Sequence, residues 1–227
     1  MRQQPEVFHD IPIFPLPNLV LFPRTVLPLH IFEPRYRQMV AHCLEKELPI
    51  GIVLLKPGSQ KEEAGTEPTY EIGSAGKIAR HQKLDDGRYN ILLSGRYRFQ
   101  IKDPLPREFL FRQATVESIP EWVPEAEESD HAHGSLLASI EELTRGQQEE
   151  EAEENGREIL SQLDFEALVN TLCSVLRLDP QTRQELLELD DLRDRAKSIL
   201  DFMDEQLSLR RLADRYRCLR PEDPSLN

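Results

Sequence analysis

The first half of the chain groups or alternates its apolar residues over short runs, a pattern typical of β-strands. Six such runs predict strands at residues 11–16, 19–22, 50–55, 88–95, 98–101 and 111–119. Turn residues separate the runs, and Asp86-Gly87 is typical of a β-hairpin turn. Five prolines between positions 12 and 28 lack a backbone N–H, so we expect the first strands to be edge-like, bulged or bent. The pattern predicts a mostly antiparallel sheet that tends to close.

One segment of this half has the spacing of a helix instead. Its apolar residues recur three or four positions apart, at Tyr36, Met39, Val40, Cys43 and Leu44. Pro34 suits the first turn of a helix, and Glu33 lies just before it, at the positive end of the helix dipole. We therefore predict a helix near residues 34–46.

The second half has helical periodicity throughout. Apolar stripes predict one helix from about Phe165, with Ser161 and Asp164 resembling a capping box, and another from Leu192, capped by Asp190 or Asp191. A short helix is expected from Pro180, and residues 129–154 read as one long polar helix. The predicted organisation is a β-barrel over 1–120, a linker over 121–128, a helical bundle over 129–217 and a flexible tail over 218–227.

Charge separates the same two halves. Residues 1–120 hold 16 Lys and Arg against 14 Asp and Glu, a net charge of +2, and residues 121–227 hold 12 against 27, a net charge of −15. An acidic half repels nucleic acid, so we expect no nucleic-acid partner. No run approaches the roughly 18–20 apolar residues of a membrane span, and the first residues lack a signal peptide. We expect a cytoplasmic protein with no membrane partner.

Few residues are arranged for catalysis or metal binding. The cysteines, at 43, 173 and 218, are too widely spaced for a disulfide framework or a zinc knuckle, and we expect reduced, mostly buried thiols. No serine lies in a G-x-S-x-G nucleophile elbow, and no glycine-rich phosphate loop is present. His131 and His133 would diverge on a helix. We expect no catalytic residue, no metal and no cofactor.

Arginines near the predicted strands leave two interpretations open. Tyr89, Tyr97 and Phe99 interleave with them, as in RNA-binding sheets that stack bases on aromatic rings. The arginines are Arg80, Arg88, Arg96, Arg98 and Arg112. The other interpretation is an ordinary solvated sheet face, which the near-zero net charge of this half favours.

Three blocks of the sequence resemble a known family. They are IPIFPLPNLVLFPRTVLPLHIFEPRYRQMV, GSAGKIARHQKLDDGRYNILLSGRYRFQI and TRQELLELDDLRDRAKSILDFMDEQL. In this order, from about residue 10 to residue 210, they are similar to the amino-terminal, substrate-binding domain of Lon ATP-dependent proteases. The resemblance implies an α+β fold, a PUA-like pseudo-barrel of mostly antiparallel strands followed by a C-terminal helical bundle. It covers neither the AAA+ module nor the protease module, so we expect a stand-alone, non-enzymatic member.

The resemblance also implies a function, the recognition of peptides or unfolded proteins. We expect main-chain pairing at a strand edge together with apolar pockets. The candidate binding residues, each of which is alternatively a core residue, are Phe22, Leu27, Leu29, Phe32, Tyr36 and Trp122. Glu33 and Arg35 are expected to form a structural brace, an ion pair at the junction between strand and helix.

Rival functions remain open at the level of sequence. A PUA-like module that binds a small ligand or RNA is the main alternative, and a hydrolase is a third. A separate ATPase or protease is left open as a further partner. Because the Lon modules that form hexamers have no counterpart in this sequence, we expect a monomer or weak dimer.

Overall fold

The computed structural model describes residues 5–58, 67–106, 108–145 and 150–217. The strands are β1 (Val7–Leu16), β2 (Val26–Ile31), β3 (Ile50–Leu54), β4 (Ile72–Lys83), β5 (Tyr89–Pro104) and β6 (Arg112–Ile119). The helices are α1 (Pro34–Lys46), α2 (Ala126–Thr144), α3 (Glu150–Ser161), α4 (Phe165–Val175), α5 (Pro180–Glu188) and α6 (Leu192–Arg217). Strands therefore fill the first half and helices the second.

The strands form one sheet that closes on itself. Their order is β2-β5-β4-β3-β1-β6, and β6 also pairs with β5, so that β1, β3, β4, β5 and β6 make a ring. Only β1 and β3 pair in parallel, and the other pairings are antiparallel. β2 lies outside the ring, against the first half of β5. The fold is the mostly antiparallel barrel with a helical C-terminal half that the sequence predicts.

The β4–β5 hairpin is confirmed at the predicted turn. Gly87 has φ 81°, the left-handed conformation that glycine tolerates, and the Leu84 N–H donates to the Arg88 carbonyl at 2.8 Å. The runs predicted separately at 88–95 and 98–101 belong to the single strand β5. A long strand can pair with β4 on one side and with both β2 and β6 on the other.

Residues 19–22 were predicted to be a strand, and this prediction is wrong. They lie in no ladder, and Val20, Leu21 and Phe22 are buried among core side chains. Their apolar character reflects burial, not strand pairing. The strand follows four residues later as β2, where the Pro28 and His30 positions obscured the pattern.

The prolines have the effect that their chemistry predicts. β1 is an interior strand, but its register with β6 shifts between Phe8 and Ile11, where Asp10 has φ 58°. β2, which contains Pro28, is paired on one side only. One proline-bearing strand is therefore bulged and the other lies at an edge.

Helix α1 packs on the barrel, and its bounds, Pro34–Lys46, are the predicted ones. Pro34 is in its first turn, and Glu47 ends it in the left-handed conformation with φ 55°. Its buried face, Tyr36, Met39, Val40 and Cys43, packs into the barrel core.

Two predictions about the later helices need correction. Residues 129–154 are not one helix, because α2 ends at Thr144 and Arg145 leaves the helical conformation with ψ 121°. α2 begins at Ala126, inside the expected linker. Asp164 is itself the cap of α4 and accepts from the Ala167 N–H at 3.0 Å, so Ser161, the last residue of α3, is not the cap. The tail predicted at 218–227 lies outside the described residues.

The barrel and the bundle share one hydrophobic core. Val20, Phe22 and Leu54 of the barrel half pack against helical residues that include Leu136, Leu168, Leu172, Leu187 and Met203. A second core lies between the barrel and α1, and a third inside the ring. No helix in the described part of the chain is both long and apolar enough to cross a membrane.

Candidate functional site

An apolar cavity of about 330 Å³ lies where β2 meets the start of α1. One wall is the consecutive stretch 29–32, and the opposite wall is the consecutive stretch 14–17 at the end of β1. Because side chains of a strand alternate between faces, a wall of consecutive residues is the edge of a strand. The floor includes Tyr36 and Leu55.

Both walls are strand edges that lack a neighbour in the sheet. β2 pairs only with β5, through Val26–Ile31. β1 pairs with β6 no further than Ile13, and from there to Leu16 it keeps only β3. Unpaired N–H and C=O groups of an edge strand can accept an added strand. The cavity therefore lies between two such edges.

The side chains around the cavity are mainly apolar. Phe32 is 62% exposed, Leu29 is half-buried, and Tyr36 is buried with its ring centroid 4.1 Å from that of Phe14. Burial raises the pKa of the Tyr36 hydroxyl to about 12, so Tyr36 is neutral at physiological pH.

The charged residues beside the cavity are paired with one another. The Arg35 Nε donates to the Glu33 carboxylate at 2.8 Å, and the Arg35 guanidinium lies 4.5 Å from the centroid of the Tyr36 ring. Glu67, on the far side, accepts from Arg112. These pairs leave the cavity with little net charge.

A second cavity of about 320 Å³ adjoins the first. Both are lined by Pro17 and Leu55, and the second extends to the start of α5, at Asp179 and Pro180. We treat these two adjoining cavities together and call them the rim groove. It runs from Phe32, across Pro17 and Leu55, to Asp179.

The structure brings together three of the predicted binding residues. Leu29, Phe32 and Tyr36 line the rim groove, with Glu33 and Arg35 beside them. Leu27 packs inward against the barrel core.

The other two predicted residues lie elsewhere. Phe22 is fully buried in the core shared with the bundle, which removes it from the candidate set. Trp122 lies beside α6, where the Arg193 guanidinium is 3.9 Å from the centroid of its ring. Each is a large apolar residue that packs against helices far along the chain. No local pattern in the sequence therefore distinguished these two residues from residues of a binding groove.

A larger cavity, of about 790 Å³, lies between barrel and bundle, but its lining is highly charged. Arg24 there forms ion pairs with Asp164 at 2.7 Å and with Glu166 at 3.6 Å. Arg96 and Glu6 also line it. This mixture of charges suits an apolar segment less well than the rim groove does.

Arg98 does not contribute to a basic outer face. It is fully buried, and its guanidinium donates to the Leu187 carbonyl at 2.9 Å. Burial and the nearby Arg195 lower the pKa of Arg98, while Glu121 opposes that effect. Arg112 also forms an ion pair, with Glu67. The arginine series that suggested an RNA-binding sheet is thus divided between the interior and the surface.

Comparison with known proteins decides the family. Residues 10–205 match the family described as the ATP-dependent protease La (LON) substrate-binding domain. The chain belongs to this family. The LON domain is 27% identical over 202 residues to the Lon protease of Cytophaga hutchinsonii, covering 88% of the chain and 24% of that protein. It is 28% identical over 205 residues to Lon protease 2 of Desulfotalea psychrophila, covering 87% and 25%.

The LON domain thus spans about a quarter of the length of these curated relatives. Solved structures share its fold. A Lon N-terminal domain protein from Xanthomonas campestris has a TM-score of 0.63 at 23% identity, over 86% of this chain and 99% of that one. The N-terminal domain of a Mycobacterium avium complex Lon protease has a TM-score of 0.59 at 19% identity, over 86% and 98%. The family match supports a role in substrate recognition.

Proposed function

We propose that this LON domain binds exposed segments of unfolded proteins in an extended conformation along the rim groove. The observation that carries the proposal is that two unpaired strand edges, residues 14–16 and β2, face one apolar cavity. In a folded protein most main-chain groups are already paired, whereas an unfolded protein offers many extended segments whose N–H and C=O groups are free.

Main-chain hydrogen bonds would supply the part of the affinity that does not depend on sequence. The segment pairs with the free edge of β2, and its alternate side chains point toward the groove. Phe32 and Leu29 would then contact apolar side chains of the segment. Each such side chain contributes about 1.5–3 kcal/mol when it is fully buried.

The paired charges favour apolar segments over charged ones. Glu33 is occupied by Arg35, and Glu67 by Arg112, so neither carboxylate offers a free partner to a cation of the segment. A charged side chain entering the groove would lose water without gaining an opposite charge. Selection for apolar character is what recognition of unfolded protein requires.

In this proposal the LON domain binds and does not cut. The matched family is described as a substrate-binding domain of an ATP-dependent protease. Cleavage and unfolding would belong to a separate ATPase or protease that receives the bound segment. The proposal therefore includes no catalytic residue, cofactor or nucleic acid.

A binding measurement tests the proposal. Fluorescence anisotropy would follow the affinity for a permanently unfolded probe, a reduced and carboxymethylated protein, with its native form as negative control. Phe32→Ser should weaken binding about tenfold or more, because the groove loses an aromatic contact. Tyr216→Ser is the matched control, since Tyr216 is 65% exposed on α6 and lines neither cavity of the groove. Equal affinity of Phe32→Ser and wild type contradicts the proposal.

A further inference from the structure

The outer face of strands β2, β5 and β4 has an unusual composition. The ladders place Val26 and Lys77 on either side of Ser94, and Pro28 and Arg80 on either side of Leu92. The neighbouring β5 residues Ile91 and Leu93 are buried, so Leu92 and Ser94 point outward, together with their partners on β2 and β4. We call this surface the outer sheet face, defined by Val26, Pro28, His30, Lys77, Arg80 and Leu92.

Positive charge on the outer sheet face has no acidic counterpart. Lys77 and Arg80 are exposed and have no ion pair or hydrogen bond from their side chains within the part of the chain that the structure describes. No Asp or Glu occupies an outward position of these paired rows. At the nearby hairpin turn, Asp86 is already bound to Arg88. The two cations are therefore free to meet an anionic partner.

An apolar strip runs beside these cations. Val26 is 61% exposed, Pro28 is exposed, and Leu92 is half-buried next to Arg80. His30 lies at one end of the strip, where its Nδ1 is 2.7 Å from the Asn90 side-chain oxygen. A surface with free cations beside exposed apolar side chains matches a ligand that combines carboxylates with apolar groups.

We propose that the outer sheet face binds an acidic protein segment that also carries apolar side chains. Its carboxylates pair with Lys77 and Arg80, and its apolar side chains cover Val26 and Pro28. This proposal goes beyond recognition in the rim groove, because it uses the faces of the strands and a different chemistry.

Other occupants fit this surface less well. Two copies of the chain each carry a net charge of −13, so their mutual repulsion opposes self-association. RNA favours surfaces on which bases stack on aromatic rings, and the outer sheet face carries no Phe, Tyr or Trp, since Tyr89 of the described paired rows is buried. A segment of acidic and apolar residues satisfies both features of the face.

The test uses the full chain and a labelled peptide of alternating glutamate and leucine. Anisotropy at low salt should show binding that weakens as salt is added, whereas the affinity for a matched glutamine–leucine peptide, which the rim groove can still bind, should not depend on salt or on Lys77 and Arg80. The double variant Lys77→Glu, Arg80→Glu should bind at least about tenfold more weakly, because two attractions become repulsions. Lys197→Glu, an exposed cation on α6, is the control and should bind like wild type.

Phe32→Ser should retain this binding, which separates the proposal from the rim groove. Circular dichroism of the double variant must match wild type, so that a loss of binding reports the surface and not unfolding. Undiminished affinity in the double variant overturns the proposal. The proposal is also overturned if a single-stranded RNA binds as tightly as the acidic peptide and the double variant abolishes that binding. The face would then be a phosphate-binding surface.

Discussion

Arg195 in α6 donates a hydrogen bond of 2.7 Å to the carboxylate of Glu121, the residue by which the chain leaves the barrel. The same carboxylate oxygen lies 3.2 Å from Arg98 Nε, at ion-pair distance but without hydrogen-bond alignment. Both arginines are fully buried, and the Glu121 side chain is only 10% exposed. One carboxylate is therefore shared by two buried cations where barrel and bundle meet, and Asp190 also pairs with Arg98 at 3.1 Å.

Removing that carboxylate should destabilise the whole chain. Glu121→Ala leaves Arg98 and Arg195 buried without their shared counter-charge, and we expect a loss of about 3–5 kcal/mol in the free energy of unfolding. Urea titration followed by circular dichroism measures it. Glu205→Ala, at an exposed position on α6, should change stability by less than about 0.5 kcal/mol. Similar effects of the two variants would show that the cluster does not hold the junction together.

Two glycines should respond in opposite directions to replacement by alanine. A Cβ on Gly95 would lie 2.1 Å from the Phe22 carbonyl oxygen, so Gly95→Ala must displace backbone and should cost about 1–3 kcal/mol. Gly134, inside α2, has nothing within 4 Å of such a Cβ, and Gly134→Ala should stabilise by about 0.5–1 kcal/mol. Thermal melts of both variants measure the two changes, a lower Tm for Gly95→Ala and a higher Tm for Gly134→Ala. A stable Gly95→Ala variant would contradict the close approach at this site.

Asp164 should contribute stability that is lost in acid. Its partial burial acts to raise its pKa, but the Ala167 N–H and the Arg24 guanidinium outweigh burial and hold the pKa below the ordinary 3.8. A carboxyl with a lowered pKa in the folded state stabilises above the pKa of the unfolded state, and this contribution disappears as pH falls through the folded pKa.

Asp164→Ser is the informative variant for this effect. Serine retains the cap of α4 but neither titrates nor pairs with Arg24. Well above pH 3.8, wild type should be the more stable protein by a constant amount, and the difference should shrink below pH 3.8. Urea titrations across that pH range measure both curves. A difference that stays constant down to low pH would exclude the ion pair as its source.

The thiols of Cys43 and Cys173 should be unreactive in the folded protein. Both are buried, and burial raises the pKa of each thiol to about 12. In a Cys218→Ser variant, which retains only these two thiols, an aromatic disulfide reagent at mildly alkaline pH should react only after urea is added. Rapid reaction without urea would mean that one of the two cores opens readily.

Local signals in the sequence predicted the elements that local chemistry determines. Asp86-Gly87 identified the hairpin because a left-handed turn needs glycine, and Pro34 identified the start of α1 because its fixed φ suits a first turn. β2 was missed, since Pro28 interrupts the strand pattern and an edge strand tolerates it. The rim groove depends on that missed strand, so Leu29, Phe32 and Tyr36 were predicted as candidates but the free strand edge beside them was not.

The charged junction could not be predicted from spacing. Arg98 lies in a run of strand residues, whereas its partner Asp190 is 92 residues away in sequence. Arg195 likewise lies 74 residues from Glu121. An arginine in an apolar strand gives the same sequence pattern whether it faces water or a buried carboxylate. Only the packing of bundle on barrel distinguishes the two cases.

Hydrogen exchange at the free edge of β2 tests the recognition of unfolded segments most directly. Amide exchange would be followed in the full chain with and without the carboxymethylated probe. If a segment pairs with this edge, exchange within residues 29–32 should slow on adding the probe, and the native form of the probe should have no effect. Slower exchange only outside the rim groove, with residues 29–32 unchanged at saturating probe, would contradict the account.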